Sequence, residues 1–372
     1  MDILTFAGLA AGFVLLVLGG EFLVRGAAWL AVSAGISPLV VGLTVVAAGT
    51  SSPELAVSVQ AVAGGTGDVS VGNVIGSNIF NTLAVLGICA VAAPLVVRSR
   101  VVRVDIPIMV GASLLVVLLV AFDGAINWYD GLILVALLVA YVFWTIRQSR
   151  MESRTVNDES VTEFDGAVAL DRRTILIQVA LVLTGLGVLV LGARLLVDSG
   201  VALARDLGVS DAVIGLTIIA VGTSLPEVAT SVIATIRNQR DIAVGNVVGS
   251  NLFNLLGILG VTGVVAPVLG ASSLAVIDTI IAFDMPVMVA TALICLPMLF
   301  KGRLDRWEGA LFLAAYTAYV VFLVLTETGS GASETLATAL LFSSPMVVAV
   351  IGWNLYQSLR IRVSRSGETA SR

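Results

Sequence analysis

A chain of 372 residues that is 58% hydrophobic and 12% charged, with a mean hydropathy of +1.06, is built for a lipid bilayer rather than for water. Its net charge is −5 and it has no histidine, so imidazole is unavailable as a metal ligand or as a general base. No nucleic-acid partner is expected.

Runs of about 20 apolar residues, the length that crosses the hydrocarbon, fall at 3–23, 38–63, 70–92, 102–122, 127–146, 174–197, 210–235, 242–266, 276–300, 307–326 and 336–358. These eleven predicted helices define an all-α polytopic membrane protein. The first run follows Met1-Asp2 with no basic segment, so it is expected to remain as a helix rather than to be cleaved as a signal peptide. Cys89 and Cys295 fall in apolar helices 3 and 9 and read as small packing residues, not a disulfide.

Nearly all the basic residues fall in alternate loops. Arg98, Arg100 and Arg103 follow helix 3; Arg147, Arg150, Arg154, Arg172 and Arg173 follow helix 5; Arg237 and Arg240 follow helix 7. Lys301, Arg303 and Arg306 follow helix 9, and Arg360, Arg362, Arg365 and Arg372 close the chain. By the positive-inside rule these segments are cytoplasmic, which puts the N-terminus outside and the C-terminus inside.

Two stretches recur at an offset of 173 residues. Gly42–Glu54, GLTVVAAGTSSPE, returns as Gly215–Glu227, GLTIIAVGTSLPE, with 9 of 13 positions identical. Gly72–Leu83, GNVIGSNIFNTL, returns as Gly245–Leu256, GNVVGSNLFNLL, with 9 of 12 identical. The duplication extends further, because Asp105-Ile106-Pro107-Ile108-Met109 reappears as Asp284-Met285-Pro286-Val287-Met288. Five crossings separate equivalent helices, and an odd number inserts the second copy upside down. Residues 1–146 and 174–326 are therefore read as two inverted five-helix repeats, ten spans in all. Residues 147–173 form a short polar linker, and 327–372 hold one extra C-terminal helix and a tail. Inverted repeats with interrupted helices and a midplane site are the architecture of secondary transporters.

Each copy places a carboxylate, hydroxyls and carboxamides inside an apolar helix, which by default marks a functional site. Thr50 and Glu54 share a helical face, as do Asn73, Ser77 and Asn81; the second copy supplies Thr223 with Glu227, and Asn246, Ser250 and Asn254. Pro53 and Pro226 lack the N–H that would bond the carbonyls of Gly49 and Gly222, so helices 2 and 7 should break beside the carboxylates. Asn73 and Asn246 fit equally well as ion ligands or as supports for the broken backbone. Every ligand here is a hard oxygen, which selects hard cations such as calcium and sodium over zinc, copper or iron. An ionised glutamate left unpaired at midplane costs about 2.5–3.5 kcal/mol or more, so an empty site is unfavourable and ions should exchange rather than leak.

The doubled G-T-S-x-P-E and G-N-V-x-G-S-N-x-x-N pattern resembles the alpha repeats of the sodium/calcium exchangers in the calcium/cation antiporter superfamily. The resemblance covers helices 1–10. It implies that Glu54 and Glu227 bind both calcium and sodium, and that Thr50, Ser51, Ser77, Thr223, Ser224 and Ser250 complete flanking sodium sites. Carbonyls near Ala47 and Ala220 are implied to join them, and Asn81 and Asn254 belong to the same implied ion-binding set. It also implies alternating access, with helices 1 and 6 sliding across the other eight. Several family members carry an aspartate at the position of Asn254, and in some branches it accompanies potassium co-transport; a carboxamide there argues against potassium dependence. The implied partners are calcium, sodium and the bilayer of a plasma membrane. No cofactor is expected, a monomer suffices for transport, and the linker at 147–173 is too short for a regulatory calcium domain.

Other readings fit less well. Proton/calcium exchange needs only the two glutamates and leaves the neutral hydroxyls without a task. A cation channel does not need inverted halves with one carboxylate each. An intramembrane aspartyl protease would have to use Asp68 and Asp130, which sit at helix ends, so the chain is read as a transporter and not an enzyme.

Overall fold

The computed structural model describes residues 3–97, 100–159, 172–207, 220–296 and 301–328. The eleventh predicted helix, the centre of the linker and the first part of helix 7 lie outside the described residues. In chain order the helices are α1 (Ile3–Ser33), α2a (Pro38–Thr50) and α2b (Ser52–Ala63), α3 (Gly67–Ala92), α4 (Arg103–Asp123) and α5 (Trp128–Glu159). They continue as α6 (Arg172–Asp206), α7a (Ala220–Gly222), α7b (Leu225–Ile236), α8 (Arg240–Val265), α9 (Ile280–Leu293) and α10 (Arg306–Glu327). Among the described residues, seven are long and apolar enough to cross a membrane, or eight if the bent α2 pair counts as one span. The protein is thus a multi-pass, all-α membrane protein.

Several helices outrun their apolar segments. Helix α1 continues to Ser33 past Glu21 and Arg25, α6 reaches Asp206, and α5 runs on to Glu159 through the first half of the polar linker. A hydropathy window stops at charged residues. The backbone does not, because Arg, Glu and Gln are good helix formers and a helix can extend beyond the hydrocarbon.

The helices sort into two bodies. Helices α1 and α6 cross antiparallel along glycines spaced seven apart: a Cβ on Gly12 would stand 2.9 Å from the Gly192 carbonyl oxygen, and one on Gly19 2.8 Å from that of Gly185. Small residues that let backbones touch are the usual means of helix association in lipid. This pair, with Val41, Val46, Ala234, Ile242 and Ala243 from the neighbouring helices, forms one apolar cluster. A second and larger cluster joins α3, α4, α5, α8 and α9, with Cys89 and Cys295 inside it as free, buried thiols. Exposed apolar side chains such as Phe143 and Leu183 form the outer surface, as expected where the solvent is lipid.

Two short antiparallel ribbons tie the halves together. Strand β1 (Leu95–Val96), after α3, pairs with β4 (Arg303–Leu304), before α10. Strand β2 (Ala125–Ile126), after α4, pairs with β3 (Leu274–Ala275), after α8. Gly124, at φ +72°, makes the left-handed cap that releases the chain from α4 into β2.

Candidate functional site

Both predicted helix breaks occur where the proline motif puts them. Ser51, with φ −83° and ψ 6°, leaves helical geometry between α2a and α2b, and the axis bends by 42°. Ser224 does the same between α7a and α7b, at φ −92° and ψ 7°. Glu54 and Glu227 consequently sit in the first turn of α2b and α7b, where free backbone N–H groups and the helix dipole favour a negative charge. Asn81 opens a π-helical turn, Asn81–Val85, in α3, and Asn254 lies in the matching turn, Phe253–Ile258, in α8. Such widened turns recur at functional positions in helices.

These breaks bring the two copies into contact. Ser51 Oγ donates to Glu227 Oε1 at 2.9 Å, and Ser224 Oγ donates to Glu54 Oε1 at 3.0 Å, so each repeat's serine holds the other repeat's carboxylate. Ser224 also donates to Ser77 Oγ at 3.3 Å, and Ser250 donates to Glu227 Oε1 at 3.4 Å. Glu54, Glu227, Thr50, Ser51, Ser224, Ser250, Asn81 and Asn254 are all fully buried, and Ser77 nearly so. Among the described residues no lysine or arginine forms an ion pair with either glutamate. A structural salt bridge is therefore not the reason for these carboxylates.

What the network leaves unpaired defines its chemistry. Oε2 of Glu54, Oε2 of Glu227, Oδ1 of Asn254, Thr223 Oγ1 and both polar atoms of Asn81 have no hydrogen-bond partner among the described residues. Buried acceptors without donors are costly, and oxygens of this kind are what a hard cation needs. No group of three or more His, Cys, Asp or Glu occurs among the described residues, so an ion held here takes most of its ligands from neutral oxygens.

The sequence profile described as "Sodium/calcium exchanger protein" matches residues 4–147 and 177–325. The chain belongs to the sodium/calcium exchanger family. Relatives include the putative antiporter CaxA of Alkalimonas amylolytica, 37% identical over 321 residues, covering 84% of this chain and 96% of CaxA. Another is the sodium/calcium exchanger MaX1 of Methanosarcina acetivorans, 32% identical over 361 residues, covering 87% and 99%. A solved structure of the sodium-calcium exchanger NCX_Mj, soaked with 10 mM Na+ and zero Ca2+, superposes with a TM-score of 0.73 at 30% identity, covering 86% of this chain and 99% of that one.

Several details of this exchanger were not anticipated from its sequence. The Gly49 carbonyl released by Pro53 is not free, because Ser52 Oγ donates to it at 2.7 Å; Leu225 at the matching position has no hydroxyl to do the same. The Ala47 carbonyl accepts from the Ser51 N–H at 3.0 Å and from Thr50 Oγ1 at 3.4 Å, while Ala220 opens the short α7a. Asn73 and Asn246 are held by neighbouring helices: Asn73 Nδ2 donates to Ser58 Oγ at 3.0 Å and to the Glu54 carbonyl at 3.3 Å, and Asn246 Nδ2 donates to Ser231 Oγ at 3.0 Å. Asn78 and Asn251 were overlooked. They are the first asparagines of the two S-N-x-x-N segments, three residues before Asn81 and Asn254, and they lie buried behind the carboxamides singled out. The repetition of that first asparagine was the available signal.

Proposed function

We propose that this protein exchanges sodium for calcium across the plasma membrane by alternating access to the buried cluster between α2, α3, α7 and α8. One observation carries the proposal: two carboxylates from opposite repeats, cross-braced by serines and buried without a counter-charge among the described residues, each keep an oxygen unpaired there. Two negative charges offset one divalent ion or two sodium ions. The neutral oxygens of Thr50, Ser51, Ser77, Asn81, Thr223, Ser224, Ser250 and Asn254, with the Ala47 and Ala220 carbonyls, complete the proposed ligand sets around Glu54 and Glu227. The exchanger names of MaX1 and NCX_Mj agree with this reading.

The finer architecture is two inverted five-helix repeats, 1–146 and 174–326, joined by the 147–173 linker and followed by an accessory helix within 327–372. The ribbons support the inversion. β1 and β2 flank α4, one crossing apart; β1 pairs with β4, and β2 with β3, which follows α8. The ends of α3 and α8 then lie on opposite faces, as inversion requires. The separate cluster shared by α1 and α6 supports their movement as one body across the remaining helices. The basic loops favour an outside N-terminus and a cytoplasmic linker. A tag inserted after Ser160 is expected to react with an impermeant reagent only in inside-out vesicles. Labelling of intact cells would reverse the topology.

The decisive experiment is calcium-45 uptake into proteoliposomes loaded with sodium, repeated with a pH gradient and no sodium. Uptake is expected only with the outward sodium gradient. Uptake driven by the pH gradient alone would replace sodium by protons, and uptake with neither gradient would indicate a channel.

A further inference from the structure

Under the 173-residue offset the polar residues of the site correspond between the repeats, and some of their hydrogen bonds are made on both sides. Ser51–Glu227 matches Ser224–Glu54, and Asn73–Ser58 matches Asn246–Ser231. Asn78 Nδ2 faces Met288 Sδ at 3.9 Å, and Asn251 Nδ2 faces Met109 Sδ at 3.4 Å, the two methionines corresponding through the Asp105–Met109 and Asp284–Met288 repeat.

Other bonds are made on one side only, among them Ser224–Ser77, Ser250–Glu227 and two that involve asparagines. Asn254 Nδ2 donates to Asn78 Oδ1 at 3.2 Å, whereas the counterpart, Asn81 Nδ2 to Asn251 Oδ1, is absent and both of its atoms are without a partner among the described residues. Thr50 Oγ1 donates to Asn246 Oδ1 at 3.2 Å, whereas Thr223 Oγ1, which would reach Asn73, is unpaired. Asn78, Asn81, Asn251 and Asn254, which face each other between α3 and α8, are all buried.

We infer that Asn78 and Asn251 are positioning residues that work in alternation, each holding the ligand-bearing asparagine of the opposite repeat in one of the two access states. The inference rests on the exchange reading above. The site lies between two inverted copies; trading conformations between such copies turns its access to the opposite face, and a bond made by one copy in one state is then made by the other copy in the second. Here Asn78 fixes Asn254 and turns its free Oδ1 away from the bond. In the other state Asn251 Oδ1 receives Asn81 Nδ2 and releases Asn254. The sequence also weights the two states unequally: Asn251 Nδ2 is held by Thr82 Oγ1 at 2.8 Å, and the position matching Thr82 is Leu255.

The test is calcium-45 exchange in right-side-out and inside-out vesicles, which gives the half-saturating calcium concentration at each face. Asn78→Ala removes a bond of the described state; Asn251→Ala removes a bond of the other together with the Thr82 bond of the described one, so its effect is read against Thr82→Val, which removes only the latter. The ratio of the two half-saturating concentrations is expected to move in opposite directions, each by about threefold to tenfold, the factor one buried hydrogen bond carries. A merely structural asparagine would not move this ratio. Movement in the same direction, or no movement in either variant, would overturn the inference. If an alanine variant does not reach the membrane, Asn78→Ser and Asn251→Ser are held to the same criterion. Sodium-driven uptake by the wild-type protein separates the two ideas: its absence means that the exchange reading fails, and its presence with same-direction changes means that only the alternation fails.

Discussion

Glu54→Gln is expected to abolish sodium-driven calcium uptake while leaving a folded protein in the membrane. Glutamine has the same shape, and its carbonyl can still accept the Ser224 hydroxyl that lies 3.0 Å from Glu54 Oε1. What changes is the other end of the group. Oε2, which has no partner, becomes an NH2 donor aimed into a set of oxygens, and one of the two buried charges is lost. Removing one partner of a buried pair of opposite charges costs about 3–5 kcal/mol, and here the pair is the carboxylate and the bound cation, so calcium affinity should fall by about a hundredfold or more. Glu227→Gln should behave alike, because Ser51 braces it in the same way at 2.9 Å.

Stability separates this loss from misfolding. Without calcium, the wild-type protein buries two carboxylates with no counter-charge among the described residues, and neutralising one removes part of that cost. The extracted Glu54→Gln protein should therefore melt no lower than wild type in ion-free buffer. Wild type should gain stability on adding calcium, by about 2.7 kcal/mol at a hundred times Kd, whereas the variant should gain little at the same concentration. Substantial retained exchange in either glutamine variant would overturn the site assignment.

The helices and the centre of this site were legible in the sequence for a physical reason. In lipid, polar residues are costly, so the few that appear inside apolar helices are conspicuous, and duplication shows them twice. Pro53 and Pro226 likewise marked the helix breaks, since a missing N–H has one local consequence. Local chemistry could not reveal partners 170 or more residues away, such as Ser224 for Glu54. Nor could it show that the Ser52 hydroxyl, one residue before the proline, would reclaim the Gly49 carbonyl. The ends of α1, α5 and α6 were misplaced because apolar length measures the bilayer, whereas the helix continues for as long as its backbone bonds are satisfied.

Gly249→Val is expected to lose both fold and transport, the second large effect and one of a different kind. Helix α8 meets α2a backbone to backbone: a Cβ at Gly249 would stand 2.6 Å from the Leu43 carbonyl oxygen, 2.7 Å from Leu43 Cα and 2.8 Å from Ala47 Cβ. Gly245 and Gly42 extend the same contact, with a Cβ at 2.7 Å from the Leu39 oxygen and 2.8 Å from the Ile242 oxygen respectively. None of these neighbours is the end of a flexible side chain, so a branched residue must separate the helices. Separation breaks the 3.2 Å bond from Thr50 to Asn246 and displaces Ala47, Thr50 and Ser51 from the carboxylates. Overpacking costs about 1–3 kcal/mol where side chains can yield and more where they cannot. Here the obstacles are backbone atoms and a Cβ, which puts the cost above that range, against a total stability of about 5–15 kcal/mol. The variant should lose its monodisperse peak on size-exclusion chromatography after detergent extraction, and Gly249→Ala should fall between it and wild type. Leu183→Val, at a side chain 64% exposed on the outer surface of α6, should behave as wild type. A Gly249→Val protein that melts and transports like wild type would mean that α2 and α8 do not pack closely.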